Sequence, residues 1–315
     1  MAEESLIDNL FVCIGAQKAG TSWLHSVLSQ DDRFACCPYV KEVHYFDFLY
    51  CSAPHLNNWR AFHLIKMIQR RGLDLQRILE GWLSGDEGNL LCDPKYQVNS
   101  AYRASRKFLH LSSAPNDSWY MNMLRPRGDQ IYSMDITPDY AVIGDEGFKH
   151  MARISRNLKL LFILRHPSER AWSGVLQGKK KFPGGVSGFL DENYHRLDEL
   201  FRLCTTGMDV EPRSNYLKTF KALERSSLLD KTLVKFYDDI AAKPDDLISD
   251  LYGFLELTVP AEKRFENVIS ERVYSTKGKR SMPPELRVRL DDYYEPMLKG
   301  LSEYVELPTG WLKNG

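Results

Sequence analysis

No apolar run in the 315 residues approaches the roughly 18 needed to cross a bilayer, so no membrane span is expected. The N-terminus, Met1-Ala-Glu-Glu-Ser-Leu-Ile-Asp8, is acidic and has neither the basic nor the apolar region of a signal peptide. A soluble, cytoplasmic protein is the expectation. The six cysteines (Cys13, Cys36, Cys37, Cys51, Cys92 and Cys204) contain no C-x-x-C pair, and a chain of this length needs no covalent staples. A disulfide framework and a zinc site are therefore excluded from the expectation, and no metal is invoked. An excess of one charge is also missing. The 42 basic and 42 acidic residues cancel, which argues against a protein whose main work is wrapping nucleic acid.

The chain does have apolar material, 43% of its residues, enough to bury a large core in one α/β domain over 1–315. Apolar runs at 10–14, 34–37, 131–136, 158–164 and 232–236 have the length and composition of buried parallel strands, with helical patterns between them. A P-loop-like three-layer domain follows, a central parallel sheet flanked by helices. From 48 to 130 apolar residues recur at helical spacing, as in Trp59, Phe62, Ile65 and Ile68, which predicts a helical insertion. In an open parallel sheet, ligands gather beyond the carboxyl ends of the strands, so the loops after these runs are the places to look.

The first of these loops is Gly15-Ala-Gln-Lys-Ala-Gly-Thr-Ser22, set between an apolar strand and a helical pattern starting near Thr21. Gly15 and Gly20 have P-loop spacing, where glycine lets the backbone approach a phosphate and the next helix points its free N–H groups at the anion. The nucleoside triphosphatase form wants lysine directly after the second glycine. Here that position is Thr21 and the lysine is Lys18, so the loop suits a phosphate ester rather than the β/γ-phosphates of ATP.

After the second strand comes Lys41-Glu-Val-His-Tyr-Phe-Asp47. On an extended segment Glu42 and His44 share a face, away from Lys41 and Val43, and a carboxylate beside an imidazole can move a proton. The fourth strand ends in Leu164-Arg-His-Pro-Ser-Glu-Arg-Ala-Trp-Ser173, where Pro167 suits a helix start and places Arg165 at the sheet edge. Arg165 and Ser173 can reach a second phosphate, which the planar guanidinium binds bidentately. Tyr274-Ser-Thr-Lys-Gly-Lys-Arg-Ser-Met-Pro-Pro284 gathers cations around Gly278 before a helix near Pro284, a further phosphate-loop candidate. Tyr140 and Tyr216 are read first as packed core tyrosines.

Taken in order, Gln17-Lys-Ala-Gly-Thr-Ser-Trp-Leu24, Lys41-Glu-Val-His-Tyr-Phe-Asp47, Thr137-Pro-Asp-Tyr140, Arg165 to Ser173 and Lys277-Gly-Lys-Arg280 resemble the signatures of sulfotransferases. The resemblance is closest to the heparan sulfate sulfotransferase group and its soluble bacterial relatives, and it covers about half the chain. It implies 3′-phosphoadenosine 5′-phosphosulfate (PAPS) as donor and 3′-phosphoadenosine 5′-phosphate (PAP) as product. It also implies that Gln17, Lys18, Ala19, Gly20, Thr21 and Ser22 hold the 5′-phosphosulfate, with Trp23 nearby. Arg165 and Ser173 match positions that grip the 3′-phosphate, and Lys277, Gly278, Lys279 and Arg280 the loop that closes over the nucleotide. Glu42 matches the general base, Lys18 would stabilise the leaving phosphate, and His44 is either a reserve base or the group that orients Glu42. One departure stands out: Asp135-Ile136 precede Thr137-Pro138 where heparan-type enzymes carry a lysine before the Thr/Ser-Pro pair, so that either the transferring group has less positive charge around it or Lys41 compensates.

The zero net charge does not promise a broad basic cleft for a polyanionic glycan. The expected acceptor is therefore a hydroxyl of a small molecule or natural product, with O- or N-sulfation of a glycan as the second reading. A nucleotide kinase and a silent nucleotide-binding module are the remaining rivals.

Overall fold

The computed structural model describes residues 6–37, 41–51, 116–179, 183–207, 210–261 and 281–313. Most of the expected insertion at 48–130, the Lys277 to Arg280 segment and Cys92 lie outside them.

All five expected strands form: β1 (Ile7–Gly15), β2 (Phe34–Cys36), β3 (Tyr132–Ile136), β4 (Ser155–Leu164) and β5 (Thr232–Phe236). They build one parallel sheet in the order β2-β3-β1-β4-β5. Leu10, Phe11, Val12, Cys13 and Ile14 of β1 are all fully buried. A parallel strand in mid-sheet is covered on both faces, which is why its sequence is a continuous apolar run without alternation. Each such side chain contributes about 1.5–3 kcal/mol on burial. β5, at the edge, is half-buried throughout. β1 and β4 start earlier than their apolar runs because Asp8, Asn9, Arg156 and Asn157 pair in the ladder with side chains toward solvent or each other.

Helices cover the sheet. α1 (Thr21–Leu28) follows β1, and α2 (Tyr45–Tyr50) and α3 (Asp117–Met123) are the described ends of the insertion. α4 (Gly144–Arg153) leads into β4, and α5 (Pro167–Gly178) leaves it. Then come α6 (Gly185–Asn193), α7 (Leu197–Thr206), α8 (Glu211–Ser214) and α9 (Tyr216–Arg225) before β5. α10 (Tyr237–Ala242), α11 (Pro244–Phe254) and α12 (Pro284–Leu301) follow. The main core lies around the sheet, and a second apolar cluster joins α5, α6, α7 and α12 through Trp172, Leu176, Phe189, Leu200, Leu286 and Leu290. None of the described helices is long and apolar enough to cross a membrane. The described cysteines are free, and burial raises the Cys13 thiol to about 12, an inert core position.

Candidate functional site

β1 lies between β3 and β4, yet the chain leaves it for β2 on one side and returns to β4 on the other. The connections leave in opposite directions there, and in open α/β sheets such a switch point, beyond the carboxyl ends of the strands, is where ligands bind. Each end delivers a sequence-predicted element: residues 15–22 after β1, Thr137 to Tyr140 after β3, and Arg165 after β4.

The loop after β1 is pinned to β4 by the Ala16 N–H donating to the Ile163 carbonyl at 2.7 Å, and it turns back through Ala19 N–H to Ala16 O at 3.1 Å. Lys18 has φ 73° and Gly20 φ 87°, both left-handed. For a lysine this conformation costs about 1–2 kcal/mol, a local strain of the kind found at ligand clamps. At Gly20 glycine is required twice over: a Cβ would also stand 2.5 Å from Ile240 Cδ1 of α10. α1 begins directly after Gly20 and no side chain among the described residues caps it, so the amides of its first turn face the loop. Ala19 and Trp23 are packed into the core, and Gln17 and Ser22 are half-buried at the loop surface.

Arg165 reaches this loop from β4, donating from Nη1 to the Lys18 carbonyl at 3.1 Å and pairing with Glu169 Oε2 at 3.4 Å. Its guanidinium lies 4.7 Å from the ring centroid of Tyr237, the first residue of α10. Ser173 stands half-buried two turns along α5. Tyr216 is buried with its hydroxyl donating to the Arg165 carbonyl at 2.7 Å, and Tyr140 is fully buried, so both are core tyrosines that brace the site.

The 41–44 segment is bent rather than extended. The expected separation of Lys41 from Glu42 is therefore corrected: the two side chains meet, Nζ to Oε1 at 2.9 Å. The bend arises at the end of β3. Asp135, fully buried, accepts from Thr137 Oγ1 at 2.6 Å, Tyr140 OH at 2.8 Å and Tyr120 OH at 3.1 Å. Thr137 Oγ1 in turn accepts the Val43 N–H, and Tyr140 OH the Tyr45 N–H, both at 2.9 Å. These tethers grip the backbone on either side of His44, which takes φ 56° between them. Burial raises the Asp135 carboxyl to about 6, while the three hydroxyls oppose that rise.

His44 is buried among carboxylates. Nδ1 is 2.8 Å from Asp47 Oδ2 and 3.7 Å from Asp139 Oδ2, and Nε2 is 3.3 Å from Glu42 Oε2. Burial disfavours the imidazolium, but the Asp47 and Glu42 partners and the Asp139 charge outweigh it and lift His44 to about 10. Burial likewise raises Glu42, yet His44 and Lys41 together hold it down at about 2. Glu42 is thus a carboxylate and His44 an imidazolium at neutral pH. The ligand atoms of His44, Asp47 and Asp139 lie within 4.8 Å of one another, a set that could hold a metal ion. Arg213 Nε, 2.6 Å from Asp139 Oδ1, and the charged imidazole already supply positive charge there.

Sequence reasoning overlooked Asp47, Asp139, Arg213 and Tyr237 as parts of this site, and it named Lys41 only as a cation that could compensate for the lysine missing before Thr137-Pro138. The positions of Tyr237, just past β5, and of Asp139, just past β3, were signals, since both follow a strand end. Arg213 carried none, because it lies 74 residues from its partner.

No family model and no curated protein matches this chain by sequence. Its fold is similar to that of a sulfotransferase from Alicyclobacillus acidocaldarius, with a TM-score of 0.57 and 17% identity over 97% of this chain and 99% of that one. The sulfotransferase domain of the Synechococcus PCC 7002 olefin synthase is similar at TM-score 0.51 and 16% identity, over 97% and 98% of the two chains. The sulfotransferase domain from the curacin biosynthetic pathway is similar at 0.51 and 15%, over 96% and 100%. The chain shares the fold of these structures.

Proposed function

We propose that this chain transfers a sulfuryl group from PAPS to a hydroxyl of a small-molecule or natural-product acceptor. The observation that carries the reading is the convergence, at one sheet edge, of a glycine loop and helix N-terminus, Arg165 and the Lys41–Glu42–His44 cluster. A fold shared with sulfotransferases supports it, and two of those structures are named for olefin synthase and curacin biosynthesis, which favours a natural-product acceptor.

The residues fit the donor. The first-turn amides of α1, Lys18, Thr21 and Ser22 suit the 5′-phosphosulfate, and Arg165 with Ser173 suits the 3′-phosphate. When bound, PAPS supplies the sulfuryl group and leaves as PAP. Lys18 and the helix N-terminus stabilise negative charge growing on the 5′-phosphate, a contribution fixed in place before reaction. Glu42 is ionised and accepts the acceptor's proton. Held at about 2, it is a weak base, so the proton moves late, once the acceptor oxygen has given electron density to sulfur and its O–H has become acidic. His44, carrying its own proton, is unsuited to be the reserve base and instead orients Glu42.

The test is thermal unfolding with and without PAP. At about 100 times its dissociation constant PAP adds roughly 2.7 kcal/mol to the folded state. A rise in Tm that is lost in Arg165→Ala supports the reading. No rise at saturating PAP overturns it, and tight binding of magnesium ATP in its place would point to a kinase.

A further inference from the structure

The Lys41 ammonium occupies a position that the donor reading leaves without a task. Nζ donates to Thr21 Oγ1 and to Ser22 Oγ, both at 3.2 Å, and to Glu42 Oε1 at 2.9 Å. All three of its donors are thus spent on joining the first turn of α1 to the candidate base. The side chain remains 22% exposed, so it is open to a ligand entering the site. Its position has a direct electrostatic meaning. A phosphate ester seated on the α1 N-terminus meets the hydroxyls of Thr21 and Ser22, while the acceptor oxygen must lie beside Glu42. The group in transfer passes between these two points, which is where Lys41 stands. Without a cation there, the Glu42 carboxylate would face the incoming negative group directly and repel it.

We propose that Lys41 is a catalytic residue of this site, binding the sulfuryl oxygens of the donor and neutralising them against Glu42. This rests on the donor reading above. In the step it serves, the bond from the acceptor oxygen to sulfur forms and the bond from sulfur to the 5′-phosphate oxygen breaks. The electron pair of the broken bond stays on that phosphate oxygen, and the acceptor's proton goes to Glu42. Lys41 keeps its proton throughout and acts by charge alone, its hydrogen bonds to Thr21 and Ser22 fixing the ammonium before the donor arrives.

PAP and PAPS differ by the sulfuryl group, so they separate a contact with that group from a contact with the rest of the nucleotide. The experiment is calorimetric titration of the full chain, as wild type, Lys41→Met, Lys41→Gln and Lys41→Arg, with each nucleotide, with folding checked by thermal melting. The charge of one ammonium beside an anionic group corresponds to a change in affinity of about tenfold. The expected result is that Lys41→Met and Lys41→Gln weaken PAPS by about tenfold more than PAP, while Lys41→Arg keeps the wild-type ratio. If both uncharged variants weaken the two nucleotides equally, or neither, Lys41 does not hold the sulfuryl group and the proposal is overturned with the donor reading intact. If the wild type binds neither nucleotide, the donor reading falls and this proposal with it.

Discussion

His44 is the residue at which charge and burial are most at odds. An ordinary buried imidazole loses its proton, but three carboxylates around this one hold it at about 10. The folded value lies above the ordinary 6.5, so the stability it confers is full below about pH 6.5 and is lost as pH rises through 10. His44→Gln leaves Asp47 without its cation, which costs about 3 kcal/mol or more under acidic and neutral conditions. Urea unfolding of both proteins from pH 6 to 10 should therefore show a difference that shrinks toward the alkaline end. A difference independent of pH would mean that the folded protein holds a neutral His44. The same charge arrangement explains why composition alone said little about the site: a chain of zero net charge has concentrated both signs within a few ångströms.

At the scale of elements, the end of β3 works as a bracket for the bend that carries Glu42 and His44. Two hydroxyls each accept a backbone N–H and donate to Asp135, so each tether can be cut singly. Thr137→Val should speed hydrogen exchange at the Val43 amide and leave Tyr45 protected, and Tyr140→Phe should do the reverse. Each exposes a buried donor at a cost of about 1–3 kcal/mol. Exchange rates unchanged at both amides would show that the bend holds itself. The strands themselves were legible in the sequence, because a two-sided apolar environment leaves a continuous apolar run; all five expected runs became strands. The loop after β1 and the helix start at Pro167 were legible too, since Gly20 and Pro167 answer to local backbone rules. The bend at 41–44 was not, because its cause lies in Thr137 and Tyr140, over ninety residues away. The sequence suggested Lys41 as a compensating cation but not its contacts, because its partners Thr21 and Ser22 are neighbours only in space.

For the molecule as a whole, 42 cations balance 42 anions, so near pH 7 little net repulsion keeps copies apart. Solubility against polyethylene glycol should pass through a minimum near pH 7 and rise at pH 5.5, where part of the histidine complement begins to add positive charge and some carboxylates begin to lose theirs. A monotonic trend across that range would mean that local patches, rather than net charge, govern association.

The order of strands also has a consequence for the chain as the ribosome makes it. β1 emerges first but pairs only with β3 and β4, and β2 pairs only with β3. Among the described residues, no two strands can join until Tyr132 and its neighbours have been synthesised. Through that interval five consecutive core residues of β1 wait without their sheet, a client for whatever chaperone meets nascent apolar segments. The loop at 15–22, which leaves β1 and is pinned to β4 through Ala16 and Ile163, acquires its shape only after that wait is over.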